Sequence, residues 1–341
     1  MAERSVVGAV LCAGFGTRLR PLTEAIPKPL LPFLNTPIVT YALEHLSRAG
    51  VERVALNLHH LADSVPPVVD LIAKQFALLP VYSREWEILG TAGGVRGMWR
   101  ALGEPDATMV VLNGDSIINM DLAKHLEAHR KSGRRATMIV RPRADDQPGK
   151  VWLDGEHHLR GLRDMRHPDA SEDLKEYDFT GVHILEPEFI AEIPFEMGCM
   201  VGDVYGPLME AGEEINTSVM EGFWAALDTP ELFLETTRRV LEEPGLFAQA
   251  PLPEGDSAGR FIYKPEQLDP KVECEGPVLL GLYAKAQAGA KIGGNSVIDG
   301  CELGANASVQ NAVLYGMGPI EGEWKDCIAV AGKVAQSSAY K

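Results

Sequence analysis

The sequence predicts an α/β protein with a Rossmann-like, mixed and mainly parallel sheet, helices on both faces of that sheet, and a short C-terminal left-handed β-helix of hexapeptide repeats. Three observations predict this fold class. Apolar stretches of strand length alternate with helical stretches in the first half of the chain, a glycine-rich turn follows the first apolar stretch, and an apolar residue recurs at every sixth position near the C-terminus. A chain of 341 residues exceeds the usual size of a single core, so about two domains are expected.

The first half of the chain has strands separated by helices of about ten to fifteen residues, which indicates right-handed βαβ units and a parallel sheet. Residues 108–113 (TMVVLN) form a nearly continuous apolar run, which is typical of a strand buried on both faces. Pro37 opens the first helix and Gly50 ends it, as these residues commonly do. The predicted strands are 6–12, 51–58, 80–83, 108–113 and 136–141, and the predicted helices are 37–49, 63–76, 93–102 and 121–131.

The middle of the chain has a different pattern, because short strands follow one another with polar turns and no full helices between them. We expect a mixed or antiparallel extension of the sheet that covers the substrate. Five prolines and little periodicity then predict a linker. The strands of this region are predicted at 151–153, 159–163 and 179–185, its helices at 203–212 and 230–242, and the linker at 244–273.

The C-terminal segment shows an apolar or small residue at every sixth position, with one slip, and small residues between them. This period predicts a hexapeptide β-helix. About forty residues, roughly two coils, are few for a free-standing solenoid, so we expect the first domain or another subunit of a homo-oligomer to cover it. The predicted domains are therefore 1–243, the linker 244–273, and 274–341. The recurring residues are Leu280, Ala286, Ile292, Ile298, Leu303 and Val309.

Composition excludes several classes of function. The formal net charge of −16 argues against nucleic-acid binding, which needs clustered lysine and arginine. Apolar runs of about 20 residues are absent, which argues against a membrane span. Residues 1–5 (MAERS) lead straight into a predicted strand, so we expect no secretory leader. The five cysteines are scattered without a C-x-x-C pair, which favours reduced thiols in the cytoplasm over disulfides or zinc.

A glycine-rich turn, 13–17 (AGFGT), follows the first predicted strand. Glycines there allow backbone N–H groups to approach an anion closely, because no Cβ intervenes. Arg18 follows at once, and Lys28 stands between two prolines. Two cations beside such a turn, in a strongly acidic chain, predict a local site for polyphosphate.

Two common phosphate-binding motifs do not fit this turn. A dinucleotide fingerprint that begins at Gly14 and Gly16 requires a third glycine where Leu19 stands. The P-loop pattern G-x-x-x-x-G-K-[ST] occurs nowhere in the sequence. Neither of these two common motifs therefore explains the turn.

Residues 11–23 (LCAGFGTRLRPLT) and 26–32 (IPKPLLP) together resemble the signature of the sugar-1-phosphate nucleotidylyltransferases, also called NDP-sugar pyrophosphorylases. Three further segments match at similar spacing: 89–93 (LGTAG), 113–115 (NGD) and 179–181 (FTG). The resemblance covers about residues 5–240, and a short hexapeptide tail also occurs in members of this family.

The resemblance implies an enzyme that joins a nucleoside triphosphate to a sugar 1-phosphate and releases pyrophosphate without a covalent intermediate. Catalysis is then positioning and neutralisation of charge at phosphorus. Arg18, Lys28 and Asp115 are the implied catalytic residues, and Asp115 is the implied Mg²⁺ ligand. Thr180 and Gly181 are implied to contact the sugar. The residues implied in nucleotide binding are Leu11, Ala13, Gly14, Gly16, Thr17, Arg18, Lys28, Gly90, Thr91, Asn113 and Gly114.

Two positions depart from the family pattern. A second metal carboxylate is commonly found in a W-x-D-x-G-T-P motif, but here 224–230 reads WAALDTP, with Ala226 at the carboxylate position. Asp228 lies two residues further, on the same side of an extended strand, and is a candidate replacement. The family lysine for the sugar phosphate is also missing, so Arg163 or Arg166 is a candidate cation.

Three functions remain open on sequence grounds. The tail and the length favour a mannose-1-phosphate guanylyltransferase-like enzyme that uses GTP and Mg²⁺. Residues 57–63 (NLHHLAD) equally resemble uridylyltransferases that act on an amino-sugar 1-phosphate, with glucose 1-phosphate as a further substrate to consider. The displaced Asp228 also leaves open a non-catalytic relative that binds an NDP-sugar and regulates a partner enzyme.

Overall fold

The structure is a computed structural model that describes residues 4–143 and 150–338. The chain divides into two compact units. The first unit holds the chain up to Gly14, Ala42–Gly114 and Met120–Gly222, and the second holds Phe15–Tyr41, Asp115–Asn119 and the chain from Phe223 onward. The predicted boundaries at 243 and 273 stay a prediction, and the predicted domain ends at 1 and 341 lie outside the described residues.

A ten-stranded mixed sheet organises the first unit. Its main path runs Met165–Arg166, Leu159–Leu162, Val151–Leu153, Lys175–Leu185, Thr108–Asn113, Val6–Leu11, Arg53–Leu58 and Leu79–Arg84. The last four strands of this path pair in parallel, whereas Lys175–Leu185 is antiparallel to its neighbours. Ala136–Pro142 joins Lys175–Leu185 to Asn216–Val219. The predicted parallel sheet and its antiparallel extension are thus confirmed.

The central strands are buried because their apolar runs leave no polar face. Met109, Val110 and Val111 are fully buried in Thr108–Asn113, as the sequence predicted. Gly8, in the neighbouring strand, lies so close to Leu46 that a Cβ would come within 2.7 Å of that side chain. The α-helices of the chain are Val39–Arg48, Val65–Gln75, Gly90–Ala101, Leu122–Ser132, Pro187–Glu192, Gly206–Glu210 and Pro230–Glu242, with a π-helical turn at Met200–Tyr205.

Two predicted helices have different bounds in the structure. The helix predicted at 93–102 begins at Gly90, so the glycine-rich segment is its first turn. The helix predicted at 203–212 is replaced by the π-helical turn Met200–Tyr205 and the short helix Gly206–Glu210. Pro207 stands at the start of the short helix, where its missing N–H costs no hydrogen bond.

The second unit contains the predicted parallel β-helix, whose register is consistent with left-handed hexapeptide coils. Leu280 pairs with Ile298, eighteen residues on, so one coil holds three hexapeptides. Ile292 pairs with Val309, seventeen residues on, which reproduces the slip in the sequence period. One wall stacks the strands Arg260–Ile262, Val278–Leu280, Ser296–Asp299, Ser308–Tyr315 and Glu323–Val330. The remaining β-helix strands are Glu273–Cys274, Lys285–Ala286, Lys291–Gly293, Glu302–Leu303, Pro319–Ile320 and Lys333–Gln336.

The wall that begins at Arg260–Ile262 extends the β-helix into the segment predicted as a linker. Side chains along this wall alternate between the β-helix interior and an outer apolar cluster. Leu280 faces the interior cluster, whereas Leu279 packs in the outer one with Phe33, Phe233 and Phe247. The chain itself therefore covers one face of the β-helix.

Two small pairings complete the second unit. Pro32–Phe33 pairs with Thr36–Pro37, and Ser116–Ile118 pairs antiparallel with Trp224–Ala226. None of the helices within the described parts of the chain has the length and hydropathy needed to span a membrane.

Candidate active site

The glycine-rich turn has a backbone that only glycine adopts readily. Gly16 has φ of 59° and ψ of 35°, and a Cβ there would lie 2.8 Å from the Thr23 methyl carbon. The Thr23 hydroxyl donates a hydrogen bond to the Gly16 carbonyl at 2.9 Å. A 3₁₀ turn, Thr17–Leu19, follows, and its Leu19 is fully buried. Because Leu19 anchors the turn, the adjacent Arg18 is left with 62% of its side chain exposed.

Lys28 lies at the start of a second short turn, Lys28–Leu30, between Pro27 and Pro29. It is only 5% exposed, and its Nζ donates to Asp115 Oδ2 at 2.7 Å and to Asp228 Oδ1 at 2.5 Å. A nearly buried ammonium is tolerated here because two carboxylates pair with it. The same contacts bring the two carboxylates close together.

A strand pairing explains why these carboxylates meet. Ala226 stands opposite Ser116, and the Leu227 N–H donates to the Asp115 carbonyl at 3.4 Å. Asp228 follows, and helix Pro230–Glu242 begins two residues later. Thr229 caps this helix by accepting the Leu232 N–H at 3.3 Å. Asp228 thus lies beside Asp115, where it could take the place of the carboxylate that the family pattern has at position 226.

Asp228 also binds the second predicted cation. Its Oδ2 lies 2.8 Å from an Arg18 guanidinium nitrogen. Burial raises the pKa of the Asp228 carboxyl, but Lys28 and Arg18 lower it further, so its pKa lies below the ordinary value. Two cations and two carboxylates therefore form one neutral cluster, which we call the ion cluster: Arg18, Lys28, Asp115 and Asp228.

The ion cluster has donors of the kind that a hard divalent cation prefers. Carboxylate oxygens suit Mg²⁺, which commonly takes one or two carboxylates and completes its shell with water and substrate phosphate. Among the described residues, no group of three or more His, Cys, Asp or Glu side chains forms a complete protein cage. Asp115 and Asp228 therefore fit a metal that is shared with a phosphate ligand.

Five of the predicted nucleotide-binding residues lie at the carboxyl ends of two paired strands: Leu11, Ala13, Gly14, Asn113 and Gly114. Leu11 pairs with Asn113, and the Gly114 N–H donates to the Leu11 carbonyl at 3.0 Å. A Cβ on Gly114 would lie 2.7 Å from Cys12 Sγ, so the close approach requires glycine. Ala13 is buried and Gly14 is exposed. This edge is where ligands bind in open α/β sheets.

Gly90 and Thr91 form the first turn of helix Gly90–Ala101, where a neighbouring segment contacts them. Gly90 has φ of 65°, and a Cβ there would clash with the Gly198 carbonyl oxygen. The Thr91 hydroxyl accepts the Met200 N–H at 2.8 Å, and the Ala92 N–H donates to the Gly198 carbonyl at 2.9 Å. Tertiary hydrogen bonds therefore determine the shape of this segment.

Sequence reasoning missed two buried polar residues at the same sheet edge. Asn57 accepts the Cys12 N–H at 2.7 Å and donates to Glu85 Oε1 at 2.7 Å. Glu85 Oε2 in turn accepts the Leu89 N–H at 2.9 Å. Both side chains are buried, and together they connect the turn after Val6–Leu11 to the start of helix Gly90–Ala101. Their positions at the ends of consecutive strands were the available signal.

Thr180 and Gly181 form a bulge in Lys175–Leu185. The register passes from Phe179 to Val182 without partners for the two residues between them. Gly181 has φ of 82°, and a Cβ there would clash with the Asn113 amide. The Thr180 hydroxyl is buried and donates to the Ile139 carbonyl at 2.7 Å.

The two candidate cations for the sugar phosphate have different surroundings. The Arg166 guanidinium stacks 4.1 Å from the centre of the Trp152 ring and donates to two backbone carbonyls. Arg163 is exposed, with one guanidinium nitrogen 3.6 Å from Cys199 Sγ. Arg163 is therefore less constrained than Arg166.

A glycine-rich turn followed by two cations and two carboxylates is an arrangement suited to a phosphorylated ligand. The model of the nucleotidyl transferase family matches residues 7–242, and the chain belongs to that family. It is an enzyme of the sugar-1-phosphate nucleotidylyltransferase type, which confirms the family expected from residues 11–32. The family typically uses a divalent metal.

Known relatives of two kinds are similar to the chain. The UTP–glucose-1-phosphate uridylyltransferase of Synechocystis is 30% identical over 326 residues, which cover 90% of this chain and 82% of that protein. The mannose-1-phosphate guanyltransferase of Aspergillus fumigatus is 29% identical over 236 residues, 67% of this chain and 62% of that protein. That of Hypocrea jecorina is 30% identical over 231 residues, 67% and 63% respectively. The match thus spans less than two thirds of these two fungal proteins.

Proposed function

We propose that the chain forms an NDP-sugar and pyrophosphate from GTP and mannose 1-phosphate, or, as a second candidate, from UTP and a sugar 1-phosphate. The observation that supports nucleotidyl transfer most directly is the ion cluster, in which Lys28 and Arg18 are held by Asp228 beside Asp115. The names of the fungal relatives support the first pair of substrates.

The proposed reaction requires no proton transfer by a side chain, because the attacking sugar phosphate is already anionic. An oxygen of the sugar phosphate forms a bond to the α-phosphorus of the triphosphate. The bond from that phosphorus to the bridging oxygen breaks, and pyrophosphate leaves with the electron pair. Catalysis then depends on alignment and on neutralising charge around phosphorus.

The cations of the ion cluster supply that neutralisation in this proposal. Lys28 is positioned by the turn between its two prolines and reaches the α-phosphate, and the more exposed Arg18 binds the β- and γ-phosphates. Without substrate, Asp228 holds both cations in place. The triphosphate takes over as the partner of Arg18 when it binds, because phosphate oxygens accept guanidinium hydrogen bonds as carboxylates do.

Mg²⁺ is the proposed metal, and Asp115 and Asp228 are its proposed protein ligands. When bound, the ion would neutralise phosphate charge during transfer. The other candidates keep the roles that the family resemblance implies. Backbone groups at Gly14 and Gly16 bind phosphate, Gly90 and Thr91 line the base site, and the Thr180–Gly181 bulge contacts the sugar. Arg163 is the proposed cation for the sugar phosphate.

The second candidate, a uridylyltransferase, has a specific observation in its favour. The match to the Synechocystis protein covers 90% of the chain, whereas the match to the Aspergillus fumigatus protein covers 67%. Glucose 1-phosphate is the substrate in that relative's name, and an amino-sugar 1-phosphate remains the other acceptor to test.

Pyrophosphate release tests the proposal directly. The protein is incubated with Mg²⁺, each nucleoside triphosphate in turn, and a panel of hexose and amino-sugar 1-phosphates. Fastest release with GTP and mannose 1-phosphate supports the first candidate, and fastest release with UTP supports the second. No release with any pair contradicts both. Lys28→Met removes a cluster cation and should be inactive, whereas Lys74→Met, at an exposed helix position, should match the wild type.

A further inference from the structure

Glu231 joins the start of a helix to the end of the β-helix. It lies in the first turn of Pro230–Glu242, three residues after Asp228. The backbone N–H and the hydroxyl of Ser338 both donate to its Oε1, at 2.5 and 2.7 Å. These two hydrogen bonds lower the pKa of Glu231 to about 2, so the carboxylate stays charged near neutral pH.

The hairpin formed by Glu323–Val330 and Lys333–Gln336 presents Ser338 to this carboxylate. The Ser337 N–H donates to the Asp326 carbonyl at 2.9 Å, and Ser337 is buried. Ser338 therefore directly follows a residue that is hydrogen-bonded to the other strand of the hairpin.

The same hairpin also contacts the loop that carries the cations. Lys333–Gln336 lies against the turn Leu22–Glu24, which stands between Arg18 and Lys28 in the chain. Apolar contacts reinforce this arrangement. Ala335 and Ile328 of the hairpin belong to one buried cluster that also includes Leu19, Leu22, Phe233 and Leu234.

The ion cluster joins two segments that are two hundred residues apart in sequence. Arg18 and Lys28 come from the loop, and Asp228 directly precedes the helix cap. The hairpin contacts the loop through Lys333–Gln336 and the helix through Ser338. A support that contacts both segments limits their relative movement, and catalytic rates are sensitive to displacements of about 1 Å.

We infer that Glu231 and Ser338 are positioning residues, which connect the β-helix to the helix start and so hold Asp228 in register with Arg18 and Lys28. The inference rests on the proposed function of the ion cluster. Neither residue touches substrate in this scheme, and both act through Asp228. The β-helix is then part of the catalytic framework of its own chain.

Three variants test the connection. Ser338→Ala removes one of the two donors, Ser338→Pro removes both, and Glu231→Ala removes the acceptor. Glu235→Ala is the matched control, because it makes the same change one turn later in the same helix. The Glu235 carboxylate binds Arg238 on the helix surface.

Steady-state kinetics with the substrate pair that releases pyrophosphate give the first measurement. We expect kcat to fall about 10-fold in Glu231→Ala and Ser338→Pro, and about 3-fold in Ser338→Ala. Glu235→Ala should stay within about 2-fold of the wild type. In the double variant Glu231→Ala/Ser338→Pro, the loss should not exceed that of the more affected single variant, because both changes remove one contact.

Amide hydrogen exchange gives a measurement that does not need catalysis. Exchange should quicken at residues 15–31 and 227–232 in Glu231→Ala, and remain unchanged at 108–113, which lies in the other unit. Equal behaviour of Glu231→Ala and Glu235→Ala in both measurements would overturn the inference, as would additive losses in the double variant. If the wild type releases no pyrophosphate with any pair, the proposed function fails, and the exchange data still decide whether the connection positions Asp228.

Discussion

At the scale of residues, the ion cluster has an unusual feature: one lysine pairs with two carboxylates, and one of those carboxylates also holds an arginine. Asp228 has therefore two functions in the proposed enzyme. It positions Arg18 and Lys28 before substrate binds, and it is a candidate metal ligand together with Asp115. The loss of either carboxylate should affect turnover, but by different amounts.

Replacement of the two carboxylates separates their contributions. Asp115→Ala is expected to abolish pyrophosphate release, because Asp115 is the carboxylate at the position that the family resemblance assigns to the metal. Asp228→Ala should lower kcat about 100-fold, because it frees Arg18 and leaves Lys28 with Asp115 as its carboxylate partner. Both are measured at saturating Mg²⁺. Asp173→Ala, at an exposed position, is the control, and a silent Asp228→Ala would rule out the role of that residue.

At the scale of elements, strand Lys175–Leu185 combines a bulge with a buried histidine. The bulge turns the backbone at Gly181 against the Asn113 amide. His183, two residues on, is buried, and its Nδ1 lies 2.8 Å from the Tyr205 hydroxyl oxygen. Each feature predicts a separate effect on stability.

Gly181→Ala is expected to lower the free energy of unfolding by about 2 kcal/mol, because the new Cβ meets both a positive φ and the Asn113 amide. Gly155→Ala is the matched control, because a Cβ at Gly155 has no atom within 4 Å. It should change stability by less than about 0.5 kcal/mol. Urea denaturation of both variants measures this, and equal midpoints would contradict the strained bulge.

His183 predicts a dependence of stability on pH. Burial lowers its pKa from 6.5 to about 3, so it stays neutral in the folded state over a range in which the unfolded chain is protonated. Because the unfolded state then binds more protons, this residue makes the free energy of unfolding rise with pH between about 3 and 6.5.

The contribution of His183 is about 1.4 kcal/mol per pH unit within that range. His183→Phe should reduce the slope of unfolding free energy against pH by this amount. The unpaired Tyr205 hydroxyl left behind shifts the whole curve but not its slope. Urea denaturation at pH values from 4.5 to 6.5, in steps of about 0.5 pH units, measures the slope. Identical slopes in the variant and the wild type would disprove the assignment.

At the scale of the whole molecule, the β-helix is part of the core of the second unit rather than an appended repeat. The outer face of one wall packs in the same apolar cluster as Leu19 and Leu22, which belong to the loop that carries Arg18 and Lys28. Removing apolar contacts from that wall should therefore destabilise the unit that contains the ion cluster.

Leu279→Ala is expected to lower the free energy of unfolding by about 3 kcal/mol, because Leu279 is fully buried in the outer cluster. Leu282→Ala, three residues later and 42% exposed, should cost less than about 1 kcal/mol. Denaturant unfolding compares the two variants. Equal losses would mean that the wall does not contribute to this core.

Much of the fold follows from local patterns. Strand Thr108–Asn113 and helix Pro230–Glu242 have the bounds that the sequence predicts, because a continuous apolar run and a Thr-Pro helix start are local signals. The six-residue period likewise predicts the coils of the β-helix, including the slip between Ile298 and Leu303. Local signals do not predict the helix start at Gly90, because glycine has a low helix propensity. Hydrogen bonds between this segment and Gly198, which is distant in sequence, accompany the helix start.

The sequence by itself determines the family and identifies the glycine-rich turn and the two cations, because these depend on short motifs whose residues stand at fixed spacing. It also identifies Asp228 as a candidate, from the alternation of side chains along a strand. Only the tertiary structure decides that Asp228 meets Lys28 and Arg18, and that the Asn57–Glu85 pair and the Glu231–Ser338 connection exist. The physical reason is that strand register and hydrogen bonds between distant segments leave no periodic trace in the chain.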